Sequence, residues 1–269
     1  MYQLLKDLPP RFIQDTYATI KVKVFRKVKG RYTTDDGTTP TLSFLLVDEE
    51  GTKIHAAVND LAYGTFEDVP EGAWIKIASA VVSSATWKDP NHLLSTHMSM
   101  LIIPSTATCS PIPPLSDHHF FNFTSFEEVN SGFFNIAYPI DLIGTIHTVG
   151  KLSPTKNSAG AERSIPFTIT NARNVELYCI AYGRVAEEFS YHWLRPHGAV
   201  VRCILSEWRV SRSRVMHSMS YEDMIVDGGE YCRFWFDPDM PGLPPMVRRN
   251  EGEDANFSEV VEMGDNSSA

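Results

Sequence analysis

Residues 42–60 read LSFLLVDEEGTKIHAAVND, and residues 164–183 read SIPFTITNARNVELYCIAYG. Each stretch is an apolar strand, a polar turn and a second strand of alternating character. Each follows a β-rich arm and a polar loop, and each precedes a short helix-like stretch and a further pair of strands. The two copies lie about 125 residues apart, the length of a domain and too long for a solenoid repeat. The expected fold class is therefore all-β: two small five-stranded barrels in tandem, with short helical caps.

Composition agrees with this plan. Hydrophobic content of 43% and charged content of 21% fit a globular chain and argue against a disordered or fibrous one. No apolar run reaches the roughly 18–20 residues of a membrane helix. The N-terminus, MYQLLKDLPP, lacks the basic region and apolar core of a secretory signal. Cys109, Cys179, Cys203 and Cys232 are far apart and include no C-x-x-C pair. They read as free thiols in a reducing compartment, not as zinc ligands. His118 and His119 beside Asp117 make no chelate, because neighbours in an extended segment point in opposite directions. No metal or cofactor is expected. The chain also lacks GxxxxGK[ST], GxSxG and HExxH, so no enzyme is expected.

Residues 17–27 alternate, with Ala18, Ile20, Val22 and Val24 on one side and Thr19, Lys21 and Lys23 on the other. Strands are expected at 41–48, 52–58, 73–86 and 97–103, with a polar loop at 29–39 and a short cap at 60–72. Residues 105–115 (STATCSPIPPL) are proline-rich and mark a linker. Second-unit strands are expected at 138–149, 164–171, 175–182, 198–209 and 213–219, with a loop at 150–163 and a helix at 184–192. Residues 231–238 (YCRFWFDP) are suited to closing the barrel or packing on the linker. The domain plan is 1–104, linker 105–122, 123–240, and a disordered acidic tail at 241–269. Residues 250–269 carry six acidic residues and no Lys or Arg, most of the chain's net charge of −9. The body is then nearly neutral, which allows a local basic groove but predicts modest, salt-sensitive binding to polyanions.

Several stretches resemble the central pair of DNA-binding OB domains in the large subunit of replication protein A. LSFLLVDEEGTKIHAAVND is similar to that family's strand–turn–strand. DHHFFNFTSFEEV (117–129) is similar to its inter-domain segment, and YPIDLIGTIHTVGKL, RCILSEWRVS and YCRFWFDPDMPG to the start and end of its second domain. The resemblance spans residues 10–240 and implies two tandem OB folds. It also implies binding of single-stranded DNA or RNA in replication, repair, recombination or telomere maintenance, in the nucleus. Other subunits of a replication protein A-like or telomeric complex are the implied partners, with no membrane involved. A short relative that recruits proteins and binds little nucleic acid is the alternative.

The resemblance also implies two base-stacking aromatics per domain, one ending the third strand and one in the loop between strands four and five. The first domain has Val58 and Trp87 there; the second has Tyr182 and Ser213, the latter flanked by Arg212 and Arg214. Tyr32 falls at a third aromatic position. Read by alternation alone, Tyr182 shares the outward face of its strand with Tyr178, Ile180 and Glu176, opposite Val175, Leu177, Cys179 and Ala181. Trp208 reads as packing. Phosphate contacts are expected from Lys27, Lys29 and Arg31 in the first loop, Lys88 beside Trp87, Lys151, Lys156 and Arg163 in the equivalent second loop, and Arg212 and Arg214. The recurrence of cations at equivalent loops carries this reading; any one alone reads as solvated charge.

Overall fold

The computed structural model describes residues 2–9, 16–34, 37–84, 93–132, 135–157, 160–214, 221–227 and 229–243; side chains of 32–34, 37, 156–157, 160–162, 213–214 and 221–222 are outside the description. The first unit contains β1 (Thr16–Thr34), β2 (Gly37–Val47), β3 (Lys53–Val58), α1 (Tyr63–Phe66), β4 (Trp74–Ser84), β5 (Ser99–Ile103) and β6 (Thr108–Pro111). After the linker, α2 (Phe126–Asn130) packs Phe126 and Val129 into the core of the second unit. The second unit contains β7 (Ile140–Val149), β8 (Ser153–Asn157), β9 (Gly160–Thr170), β10 (Glu176–Tyr182), α3 (Gly183–Trp193), β11 (Arg202–Arg214), β12 (Tyr221–Val226) and β13 (Arg233–Phe236).

Both units close into five-stranded barrels by the same circuit. In the first the order is β1-β2-β3-β5-β4, closed by β4 pairing back to β1. In the second, β7-β9-β10-β12-β11 closes through β11 and β7. In each, the third and fifth strands run parallel and the other pairs antiparallel. The duplication extends to the irregularities. The β1–β2 register slips between Val24 and Arg26, and the β7–β9 register slips between Ile146 and Thr148. Ser79 on β4 and Glu207 on β11 both take the left-handed backbone conformation, at φ 61° and 60°, beside the slips that close the two barrels. Such bulges sharpen strand curvature, which a small barrel needs at its corners.

The cores follow from alternation. Ile20, Val22, Val24, Leu42, Phe44, Leu46, Ile54 and Ala56 fill the first barrel, and Leu5 of the N-terminal arm is buried with them. Asp48 holds that arm by accepting the Leu5 N–H at 2.9 Å. Leu142, Phe167, Ile169, Leu177, Cys179 and Trp208 fill the second. Trp208 is fully buried and donates its indole N–H to the Arg233 carbonyl at 3.0 Å, so it is packing as its sequence position suggests. Phe189 of α3 stacks on Phe167 across the bottom of that barrel, with ring centroids 4.4 Å apart. Cys179, Cys203 and Cys232 are buried free thiols, and burial pushes Cys179 and Cys203 up.

Several boundaries differ from expectation. The segments read as polar loops at 29–39 and 150–163 are largely strand, because β1 and β2 run on as a long hairpin and β8 pairs β9 from Ser153↔Ser164 to Asn157↔Gly160. Polar residues suit these arms, since beyond the barrel both faces meet solvent. The last barrel strand is at 221–226, not 213–219, as β11 continues to Arg214. The proline-rich linker contributes β6, which pairs β4 between Ile75↔Pro111 and Ala78↔Thr108. Of the tail, residues 241–243 are described and 244–269 lie outside the described residues.

Candidate nucleic-acid interface

On β10, Leu177, Cys179 and Ala181 point inward, so Glu176, Tyr178, Ile180 and Tyr182 share the outer face, as alternation predicts. The antiparallel partner β9 sets Thr168 opposite Tyr178, Pro166 opposite Ile180 and Ser164 opposite Tyr182. β7 extends the surface, with Thr148 and Thr168 hydrogen-bonded through their hydroxyls at 2.8 Å. Tyr178 is 47% exposed. Tyr182 is half-buried where β10 meets α3, with its backbone N–H donated to Asp227 Oδ2 at 2.7 Å. The two rings are four residues apart, about 13 Å along an extended strand. The result is an open, mostly polar sheet face with two aromatic side chains. Tyr178 lies on the predicted face but sits outside the strand-end position that the resemblance marks.

Lys151 and Arg163 flank this face at the root of the β8–β9 hairpin. Lys151 is exposed. Arg163 is exposed and 3.8 Å from Glu187 of α3, a pair that water screens. Lys156 is in β8, where its side chain is outside the description. Arg212 is committed elsewhere. It forms a two-pronged pair with Asp223, its cross-strand neighbour, at 2.7 and 2.9 Å, and also donates to the Gly132 carbonyl at 3.2 Å. Arg214 pairs with Tyr221 in the backbone register, its side chain outside the description.

The corresponding residues of the first barrel have different fates. Lys27 turns under the barrel, donating to the carbonyl of Glu67 and, at 2.7 Å, to that of Val69, where it caps α1. Burial there pulls its pKa down. Lys29 is 3.9 Å from Glu67 and Arg31 is exposed on the hairpin arm. Tyr32 pairs with Thr39 in register, its side chain outside the description. Trp87 and Lys88 lie outside the described residues altogether. Val58 faces the core. Its partner Leu42 corresponds to Ile165, which pairs with Ala181, so Asn59 takes the position equivalent to Tyr182. Asn59 uses its side chain to accept the Leu61 N–H at 3.0 Å and start the helical cap.

The outer face of the first barrel is covered. Phe25, Leu45 and Val47 form a small cluster with Phe120 and Phe121 of the linker and Tyr231 before β13. Lys53 reaches across to Glu207 at 2.8 Å and Asp141 at 3.4 Å, with its ammonium 4.1 Å from the centre of the Phe25 ring. Arg26, only 5% exposed, donates to Ser206 Oγ at 2.7 Å and lies over Phe25 and Trp235. Tyr231 is hydrogen-bonded with Ser43 at 2.6 Å and His55 at 3.3 Å. Burial lowers His55 to about 4 and raises Tyr231 to about 12, so both are neutral near pH 7.

The fold has a counterpart among solved structures. The chain superposes on replication protein A, in its heterotrimer bound to ssDNA, with a TM-score of 0.55 and 17% identity. It is a tandem OB fold. The likeness covers 90% of this chain and 52% of that one, so the chain spans about half the length of that protein. A family model described as a domain of unknown function, DUF223, matches residues 12–132, the first OB barrel and the linker. DNA-binding domain A of S. cerevisiae replication protein A matches at TM-score 0.33 with 20% identity, over 43% of this chain and 96% of that domain. A murine DNA binding protein bound with ds DNA matches at 0.34 with 11% identity, over 81% and 97%. Neither of these lower scores bears on the fold. No curated protein sequence matches. Among the described residues, no cluster of side chains is arranged to hold a metal, and no helix is long and apolar enough to cross a membrane.

Proposed function

We propose that this tandem OB protein binds single-stranded nucleic acid, DNA in the first instance, across the outer face of its second barrel. The observation that carries the proposal is the open β9–β10 face with Tyr178 and Tyr182 on it and Lys151 and Arg163 at its edge. Bases stack on flat side chains regardless of sequence, and each stack contributes about 1–3 kcal/mol. Thr148 and Thr168 offer hydroxyls to sugars or phosphates. Trp87, Lys88, Tyr32, Lys156 and Arg214 remain in the proposal on their sequence positions. Lys29 and Arg31 lie on an exposed arm that an extended strand can reach. Lys27 and Arg212 are less suited, since protein carbonyls and Asp223 already hold them. A nuclear role in replication, repair, recombination or telomere maintenance, alongside other subunits, belongs to the same proposal.

Fluorescence anisotropy with labelled oligo(dT) at two salt concentrations tests it. Affinity should fall with salt, with a slope that reports few phosphate contacts. Binding that is absent, or indifferent to salt, would sink the proposal. Partner recruitment is the second reading, favoured by Tyr191 and Leu194, 62% and 81% exposed at the end of α3.

A further inference from the structure

The covered face of the first barrel has the chemistry of a nucleic-acid site already filled. Three kinds of group meet there. Tyr231 and Phe121 pack aromatic rings against Phe25, Leu45 and Val47, with Phe121 edge-on to Phe25 at 6.3 Å between centroids. The Tyr231 ring stands edge-on to His55, centroids 6.2 Å apart, and its hydroxyl meets Ser43 and His55 as the polar edge of a base would. Glu207 and Asp141 bring carboxylates to Lys53, whose ammonium a phosphate would equally satisfy. Trp235 lies over the Arg26 guanidinium, and cations and rings of this kind are what a single strand uses.

The register makes the correspondence exact in position. Counting from the matched inward pairs Leu46–Ile54 and Ile169–Leu177, His55 corresponds to Tyr178, Lys53 to Glu176 and Leu45 to Thr168. Counting from the matched bulges, Phe25 corresponds to His147 and Arg26 to Thr148. The same patch is therefore open on one barrel and closed on the other.

We infer that the first barrel carries a second single-strand site, kept filled in cis by the second barrel, with Tyr231 in place of a base and Glu207 and Asp141 in place of phosphates. This rests on the fold and the interface geometry; it extends the proposed function to the first barrel without needing the second barrel's face to bind. In the closed arrangement the outer β2–β3 face of the first barrel takes no nucleic acid, and only its exposed hairpin arm is left within reach of a strand bound on the second barrel. Separation of the barrels releases Arg26, Lys53 and the face around His55, and lengthens the footprint.

The test compares the whole chain with the double variant Tyr231→Ala/Glu207→Gln, using labelled oligo(dT) of about 6 and about 24 nucleotides, within and beyond the roughly 4–16 nucleotides of one OB fold. The variant should bind the long oligonucleotide about 10²-fold more tightly than the unaltered chain, because a second linked site engages. Its affinity for the short one should be unchanged, and Lys53→Gln added to the variant should remove most of the gain. Circular dichroism of each variant establishes that the barrels remain folded, and Tyr231→Phe, which keeps the ring, should stay closed. Equal affinity of variant and unaltered chain for the long oligonucleotide overturns the inference while leaving the second-barrel proposal standing. A variant that gains long-strand binding although the unaltered chain binds nothing supports the inference and defeats that proposal. If neither protein binds either length, both fall.

Discussion

At equivalent positions the two barrels carry opposite surfaces. His55 is 7% exposed beneath Tyr231, whereas Tyr178, its counterpart, is 47% exposed. Phe25 is buried against the linker, whereas His147 is exposed and pairs with Glu176 at 3.3 Å. The outer face of the first barrel is covered by protein and that of the second is exposed. The difference lies on the outward positions of the first three strands; both barrels share strand circuit, bulges and core pattern. A repeated fold thus does not imply a repeated site, because the outer face is independent of the alternation that builds the core.

Breaking the contact that distinguishes the first barrel should have the largest effect. Lys53→Ala leaves Glu207 and Asp141 buried without their cation, and loss of one partner of a buried pair costs about 3–5 kcal/mol. Urea denaturation should show a lowered midpoint, and small-angle scattering should show the barrels separating. An unchanged midpoint would mean that the docked interface contributes nothing to stability.

Acid should act on the same barrel. The His55 pKa is depressed to about 4 by burial, from an ordinary value near 6.5. Its stabilisation is present above about 6.5 and is lost as pH falls toward 4, a change of about 3 kcal/mol from that group. Melting temperature should drop over this window, and His55→Gln should flatten the drop. A flat profile in the unaltered chain would place His55 in water and the interface open. Glu207, raised by burial, works in the opposite direction: its effect is present below the ordinary carboxylate range and fades as pH rises.

Much of this was legible in the sequence where alternation governs. The duplicated strand–turn–strand, the inward set Leu177, Cys179 and Ala181, and the outward Tyr178 and Tyr182 all follow from a period of two. The fates of Phe25, Arg26 and Lys53 did not, because the linker and second-barrel residues they meet are 88 to 209 positions away and only the docked barrels bring them together. Lys27 illustrates the same limit. It reads as a loop cation, yet tertiary structure places it beneath helix-end carbonyls. Val58 was misplaced by one residue because the alternation of β3 puts it on the core side, and Asn59 on the position of Tyr182. Aromatic clustering in YCRFWFDP was visible, but its division between core-facing Phe234 and Phe236 and interface-facing Tyr231 and Trp235 depends on β13 pairing with β11.

On the second barrel the effects are on binding. Tyr178→Ala and Tyr182→Ala should each weaken oligo(dT) binding by about 1–3 kcal/mol, with little dependence on sequence. Neither belongs to the buried core, so melting temperature should move little. If instead both variants unfold, the open face is structural and the contrast between the barrels disappears. The smallest effect is expected at Arg212. Its pair with Asp223 is at the surface, where water screens it and its contribution to stability is small. Arg212→Ala should leave the salt slope of binding unchanged, whereas Lys151→Ala with Arg163→Ala should reduce it by about one to two phosphate contacts. A slope that falls on loss of Arg212 would return it to the interface.

The proposed contrast is a second barrel open to a single strand and a first barrel whose β2–β3 face is closed. Amide chemical shifts recorded while a short oligo(dT) is titrated into the whole chain test it most directly. Shifts are expected along β9 and β10 at Thr168, Tyr178 and Tyr182, with Ser43, His55 and Lys53 on the first barrel unmoved. Shifts confined to the first barrel's β2–β3 face, with the second barrel silent, would contradict it.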